Sequence, residues 1–289
     1  MSTRASDRLD TSRQPGIDRI STLLQHRYGT QHDLSEPLPV TTAIETLLAH
    51  RSVRFYLPQS VPATAVELAI SAAQSAPTSS NLQAWSVLAV EAKDRKARIN
   101  AVAGNQKQID QAPLLLVWLA DLSRLRGISN AQGSPGEGLD YLESFLLGVI
   151  DAALAAQNAV TAFESLGLGT CYIGALRNNP EAIAKELALP KEVFPVFGLT
   201  VGYPDPGIKT DVKPRLPRST VFHREQYVAN SDNEDFSGYN QILRAFQKIQ
   251  LLPAIDWTEQ MSRRIGTKEA LKNRDLISSA VKFLGFQIK

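Results

Sequence analysis

Residues 141–169, YLESFLLGVIDAALAAQNAVTAFESLGLG, constrain the fold more than any other stretch of the chain. Apolar residues occupy every face from Phe145 to Phe163, so a helix here is expected to be buried nearly all round. Asp151, Gln157 and Asn158 interrupt the run, which sets it apart from an uncharged membrane span. Gly148, Ala152, Ala155, Ala156 and Ala159 form a small-residue stripe against which another backbone can lie closely. Gly167 and Gly169 mark the stop. At about 1.5 Å per residue the helix reaches ~40 Å. A chain of this size cannot readily cover it alone. It is therefore expected to be the spine of the core and part of a dimer interface. The other reading is the central helix of a monomer.

The 289 residues suffice for one large domain or two and for a substantial core. Net charge is +2, so nothing calls for nucleic acid or an anionic membrane as partner. Cys171 is the one cysteine; no internal disulfide can form, which fits a reducing, cytoplasmic setting. No segment has a signal-peptide pattern. The histidines His26, His32, His50 and His223 lack ligand spacing, and no metal is expected.

Residues 1–15 are polar, and disorder is expected there. Ile17, Ile20, Leu24 and Tyr28 share a helical face over residues 16–28, and residues 29–39 read as a linker. Thr42-Ala-Ile-Glu45 reads as a capping box whose helix runs on towards His50, and Thr64-Ala-Val-Glu67 as another. Strands are expected over 86–91, 114–119 and 196–203, with a short extended piece over 171–174. Helices are expected over 94–103 and from Asn179-Pro180 to Leu187. Residues 124–138 and 204–218 read as loops, 228–239 as a polar crossing, and 257–286 as a basic, broken helical tail. Few strands among many helices indicate an α+β fold with a central sheet.

Three polar patches carry candidate chemistry. Arg51, Ser52 and Arg54 at a helix end offer forked donors suited to a phosphate; a solvated helix end is the plainer reading. Lys213 and Arg215 stand in the proline-bracketed Asp211–Pro217 segment, a stiff loop that presents cations or simply a rigid connection. Residues 76–83, APTSSNLQ, offer hydroxyls and amides able to read a heteroaromatic edge, or form an ordinary helix-stop loop. No Walker loop and no Gly-x-Gly-x-x-Gly is present, so a Rossmann dinucleotide site is not expected. Cys171 reads as a small core residue rather than a nucleophile.

Four segments occur in a meaningful order: His50-Arg-Ser-Val-Arg54, Ser75-Ala-Pro-Thr-Ser-Ser-Asn-Leu-Gln83, Gly167-Leu-Gly-Thr-Cys-Tyr-Ile-Gly-Ala-Leu-Arg-Asn178 and Lys213-Pro-Arg-Leu-Pro217. Together, with the long helix between them, they resemble the nitroreductase superfamily. More narrowly the chain is similar to its NADPH-dependent oxygen-insensitive nitroreductase and flavin reductase group. The resemblance covers about residues 40–223 and only weakly the tail.

The resemblance implies a nitroreductase-like α+β fold: a central mixed sheet flanked by helices, with a long buried central helix at a homodimer interface. It implies a 1–39 extension, a 40–223 FMN-binding core and a 224–289 C-terminal helical excursion. His50, Arg51, Ser52 and Arg54, with Lys213 and Arg215, would hold the FMN phosphate and pyrimidine side. Ser79, Asn81, Gln83 and Gln106 would meet the flavin edge or ribityl chain. Tyr172, Ile173, Gly174 and Ala175 would pass the ring, Ala175 standing where many relatives have a second glycine. Arg177 would lie at the mouth of the substrate pocket. Arg274, with Arg263 and Arg264, would substitute for a basic loop that grips the NADPH 2′-phosphate in relatives. The implied activity is transfer of electrons from NADPH or NADH to a small-molecule acceptor by ping-pong kinetics, with no catalytic side chain required. Flavin breakdown, dehalogenation and non-catalytic flavin binding are the alternatives.

Overall fold

The computed structural model describes residues 14–30, 41–228 and 235–289, with only the backbone of residues 14–17. Of the disorder expected over residues 1–15, residues 1–13 fall outside the described residues while Gln14 and Pro15 are helical; most of the 29–39 linker and residues 229–234 of the polar crossing also fall outside. In chain order the helices are α1 (Gln14–Tyr28), α2 (Thr42–Leu48), α3 (Ala63–Gln74), α4 (Lys93–Val102), α5 (Lys107–Gln111), α6 (Ser123–Ala131), α7 (Leu142–Ser165), α8 (Pro180–Glu186), α9 (Arg218–Val221), α10 (Ser237–Ile249), α11 (Trp257–Ile265) and α12 (Ile277–Phe283). The strands are β1 (Trp85–Val90), β2 (Leu114–Asp121), β3 (Gly169–Ile173) and β4 (Val193–Gly202). The chain divides into two compact units, residues 1–51 with 210–262, and residues 52–209 with 263–289.

The second unit is built on the sheet, in the order β1-β2-β4-β3, every strand pair antiparallel. One parallel bridge, Ser52 to Thr170, adds the mixed character. Every residue of β2 is buried. Leu114, Leu116 and Trp118 join the cluster formed with α3 and α7, while Leu115, Val117 and Leu119 join the one formed with α4 and α8. Side chains alternate across a strand, so helices on both faces turn an alternating pattern into an unbroken apolar run. The last residues of the chain pack here too: Val281, Leu284 and Phe286 cluster with Phe194 and Val196.

α7 corrects the expectation of burial on all sides. Its glycine-alanine side lies on the chain's own sheet: a Cβ on Gly148 would come 3.1 Å from the Ala84 carbonyl and 3.2 Å from the Ala120 Cβ. The small residues serve that internal packing. On the opposite flank Leu142, Leu146, Ile150 and Leu154 are 46, 45, 56 and 41% exposed. Spaced four apart, they form one stripe along the helix. By length and composition alone α7 could cross a membrane, but its glycine-alanine side is already buried in the chain's own core.

Residues 124–138 are not all loop, because Ser123–Ala131 is helical. Asp121 Oδ1 accepts from Ser123 N at 3.1 Å and Ser123 Oγ at 2.6 Å, and so starts the helix. Arg126 then pairs with Glu192 at 2.7 Å and Asp140 at 2.6 Å. These ties outweigh the ~1 kcal/mol that Gly127 costs a helix interior. Two caps also shift. Thr41, not Thr42, caps α2, and that helix ends at Leu48. Pro62 opens α3, leaving Thr64 inside it.

In the first unit α1 buries Ile20, Leu24 and Arg27 on one face. Gly29 closes it at φ 72°, where a Cβ would meet Ile242 at 2.5 Å. α10 buries Tyr239, Asn240, Leu243 and Gln247. Its two buried amides are bonded: Asn240 Nδ2 donates to Thr258 Oγ1 at 3.0 Å, and Gln247 Oε1 accepts from Ile255 N at 2.9 Å. The polar 228–239 crossing therefore ends as a helix start, with Asp235 accepting from Ser237 N at 2.8 Å.

Candidate active site

Four of the expected site residues, His50, Arg51, Lys213 and Arg215, belong to the first unit. The 212–215 loop alternates: Val212 and Pro214 are buried, Lys213 and Arg215 exposed. Tyr239 Oη, itself buried, donates to the Pro214 carbonyl at 3.0 Å and fixes the inward side. The two cations are thereby held outward. Arg51 is exposed and reaches the same loop through Nε to Thr210 Oγ1 at 3.2 Å. The turn that carries Arg51 meets the loop a second time. The Arg27 guanidinium donates to the carbonyls of Leu48 at 2.8 Å, His50 at 3.1 Å and Lys213 at 3.0 Å. At the edge, Asp211 accepts from Val212 N and lies 3.7 Å from His26.

The remaining residues belong to the second unit. The chain runs beside β3 from Ser52, with Val53 N donating to the Thr170 carbonyl at 2.9 Å. Gly169 makes this possible, since a Cβ there would come within 2.6 Å of Val53. Val53 and Tyr56 are buried, so Arg54 and Phe55 are left facing outward. Tyr56 Oη donates to the Val53 carbonyl at 2.6 Å and shares a 2.8 Å bond with Thr200 Oγ1; burial pushes its phenol well above the usual range.

β3 presents Tyr172, 38% exposed and edge-on to Phe197 with ring centroids 5.1 Å apart, then buries Ile173. The Gly174–Asn178 turn follows. Arg177 folds back to donate to the Val196 carbonyl, and its partial burial lowers its pKa. Asn178 accepts from Arg274 Nε at 2.9 Å. Burial, then the charges of Arg177 and Arg264, lower Arg274, so three guanidiniums share one neighbourhood. Gln106 lies in the adjoining 104–106 turn, its N–H donating to Asn100 Oδ1 at 2.6 Å; a Cβ on Gly104 would stand 3.7 Å from Asn178 Nδ2.

Ser79, Asn81 and Gln83 occupy an exposed loop in which Ser80, Asn81 and Gln83 have φ of 49°, 55° and 49°. Three non-glycine residues in the left-handed region need an anchor. Asp151 supplies it from α7. Its Oδ2 accepts from Thr78 Oγ1 at 2.6 Å and from Ala84 N at 3.0 Å, and Thr78 Oγ1 accepts from Gln83 N at 2.9 Å.

A model described as the nitroreductase family matches residues 47–203, and a model of that family's C-terminal domain matches 213–289. The chain is 39% identical to an FMN reductase (NADPH) of Bacillus subtilis over 195 residues, 67% of this chain and 78% of the relative. It is 40% identical to an oxygen-insensitive NADPH nitroreductase of Salmonella typhimurium over 188 residues, 65% of this chain and 75% of the relative. The structure of an NADPH:FMN oxidoreductase from Vibrio harveyi complexed with NAD+ superposes with a TM-score of 0.76 at 30% identity, covering 86% of this chain and all of that one. The chain belongs to the nitroreductase family.

In this nitroreductase several residues that hold the candidate segments in place lie outside what the motifs signal. Asp151 gave a signal: an acid in an apolar helix needs a partner. Tyr56 and Asn178 lie beside and inside these motifs, but their partners Thr200 and Arg274 stand 144 and 96 positions away, which sequence does not display. Arg27 gave none, because its partners are all main-chain carbonyls. A cleft of 550 Å³ lies between α3, α6 and β1, lined by Gln74, Trp85, Ser86, Arg124 and Ile128 among others. Of the expected site residues it shares only Asn81 and Gln83.

Proposed function

We propose that this nitroreductase is an FMN-dependent oxidoreductase taking electrons from NADPH or NADH. Its acceptors are small molecules: nitroaromatics, quinones or free flavin. The observation that carries the reading is the outward presentation of Lys213 and Arg215 on a loop that also holds Arg51. That donor set fits a phosphate: two forked guanidiniums and an ammonium, each exposed, on backbone fixed from beneath. FMN, when bound, supplies the redox chemistry between donor and acceptor.

In this reading Arg51, Lys213 and Arg215, with His50, Ser52 and Arg54, bind the phosphate and the pyrimidine side. Preorganised cations favour negative charge at those atoms without reorganising. Ser79, Asn81, Gln83 and Gln106 orient the cofactor's edge and ribityl chain. Tyr172, Ile173, Gly174 and Ala175 line the ring. Arg177 and Arg274, with Arg264, meet the anionic part of the electron donor or acceptor. No side chain is required as acid or base, and donor and acceptor alternate in ping-pong fashion. The setting is cytoplasmic. The test is direct. The purified protein should bind FMN and oxidise NADPH with menadione or nitrofurazone as acceptor, giving parallel double-reciprocal plots. A protein that ignores added FMN would defeat the proposal.

The protein works as a homodimer in this reading, supported by the open apolar stripe of α7. Leu142, Leu146, Ile150 and Leu154 form a contiguous patch of the kind that marks association. Ile150→Glu is expected to convert the dimer to monomer at micromolar concentration in sedimentation experiments. A symmetric contact would bury the introduced carboxylate twice, once from each protomer, with no partner charge for either. An unchanged sedimentation coefficient would place the interface elsewhere.

A further inference from the structure

We propose that Arg27 is the positioning residue of the phosphate cradle, clamping its two chain segments into one anion-binding surface. The proposal rests on the phosphate reading of Arg51, Lys213 and Arg215 given above. Arg27 lies in α1, before the first residue matched by either family model. It is only 7% exposed. One guanidinium nitrogen donates to Leu48 O and His50 O, the carbonyls just ahead of Arg51, and the other donates to Lys213 O. The Arg27 carbonyl in turn accepts from Arg215 N at 2.8 Å. One residue thus bonds the backbone next to Arg51 and the backbone of both Lys213 and Arg215.

Packing alone does not account for an arginine here. Burying a guanidinium is costly, and an apolar side chain of like volume fills such space at least as well. Burial and the nearby Arg215 charge pull the Arg27 pKa down from its usual value. What the guanidinium adds is a rigid fork that fixes three carbonyls at once. Neighbouring contacts fix α1 against the same loop. His26 lies 3.7 Å from Asp211, and Arg218 stacks over the Tyr28 ring at 5.5 Å. Drawing the main-chain carbonyls of residues 48, 50 and 213 inward onto Arg27 directs their negative dipoles away from the anion. The cationic side chains remain to face it.

The test compares FMN with riboflavin, which presents the same ring without the phosphate. Full-length protein stripped of flavin is titrated with each, following flavin fluorescence, for the parent, Arg27→Met, Arg27→Lys and Arg51→Ala. Arg27→Met should weaken FMN at least about tenfold, as removing an outer-shell partner of a bound ion typically does. Its riboflavin affinity should stay within about twofold of the parent, since only phosphate contacts are disturbed. Arg27→Lys should fall between. Arg51→Ala should also lose FMN selectively. Equal loss of both flavins in Arg27→Met marks a purely structural residue and overturns the proposal. So does unchanged FMN affinity in Arg27→Met when Arg51→Ala loses it. If neither variant affects FMN, the phosphate assignment itself falls, and the proposal with it. Should Arg27→Met not fold, Arg27→Lys carries the same comparison with the same outcomes.

Discussion

Asp151→Ala is expected to destabilise the protein by about 3–6 kcal/mol, because hydrogen bonds to a charged acceptor contribute roughly 1.5–3 kcal/mol each and two are lost. Asp151 is 2% exposed and accepts from Thr78 Oγ1 and Ala84 N. Alanine leaves both donors without that acceptor, and the Ala84 N–H is buried. The left-handed φ values at Ser80, Asn81 and Gln83 then lose the contact that holds them. Asp151→Asn keeps one acceptor and should recover part of the loss. Urea midpoints give the energies, and protease cleavage within residues 78–84 reports the loop. A change below about 1 kcal/mol, the size of one ordinary hydrogen bond, would mean the anchor is not Asp151. Under the FMN reading the alanine variant also retains flavin less well, since Ser79, Asn81 and Gln83 ride on that loop.

Gly169→Ala is the second large effect. The new Cβ would stand 2.6 Å, 2.7 Å and 2.9 Å from three atoms of Val53. Val53 is 2% exposed, and its branched side chain has little rotamer freedom with which to move away. Relief must come from the backbone, by parting Val53 N from the Thr170 carbonyl. Overpacking of this kind costs about 1–3 kcal/mol. The double variant Gly169→Ala with Val53→Ala separates steric clash from any general effect. If the clash is the cause, the double variant is more stable than the sum of the two single losses. Strict additivity would refute it.

The pattern of the core was legible because it rests on periodicity. The apolar 114–119 run became β2, the 86–91 run β1, and the Asn179-Pro180 start became α8, with Asn179 accepting from Ala182 N. Gly167 ends α7 at φ 79°, as a helix stop should. By sequence Gly169 reads as part of the same stop, whereas its space belongs to Val53, more than a hundred positions earlier. No local pattern reports such a neighbour. α6 was hidden for a similar reason: its support comes from Asp140 and Glu192 through Arg126. The long helix misled through composition. Apolarity on every side says nothing about which side a single chain covers. Among the candidate site residues, the cations of the 213–217 loop stand out because prolines bracket them. Asp151 was visible only as an interruption, and Arg27 not at all.

α7 faces two tasks on opposite sides. Inward it carries Asp151 and so determines whether the 78–84 segment keeps its backbone shape; outward it carries the Leu142–Leu154 flank. Both sides share one rigid rod, so a small roll of that rod moves the carboxylate and the flank together. Protomer association through the flank would then be thermodynamically linked to the order of the segment, each favouring the other by the same free energy. In the proposed dimer, dilution alone should loosen residues 78–84, measurable as faster amide exchange there as concentration falls.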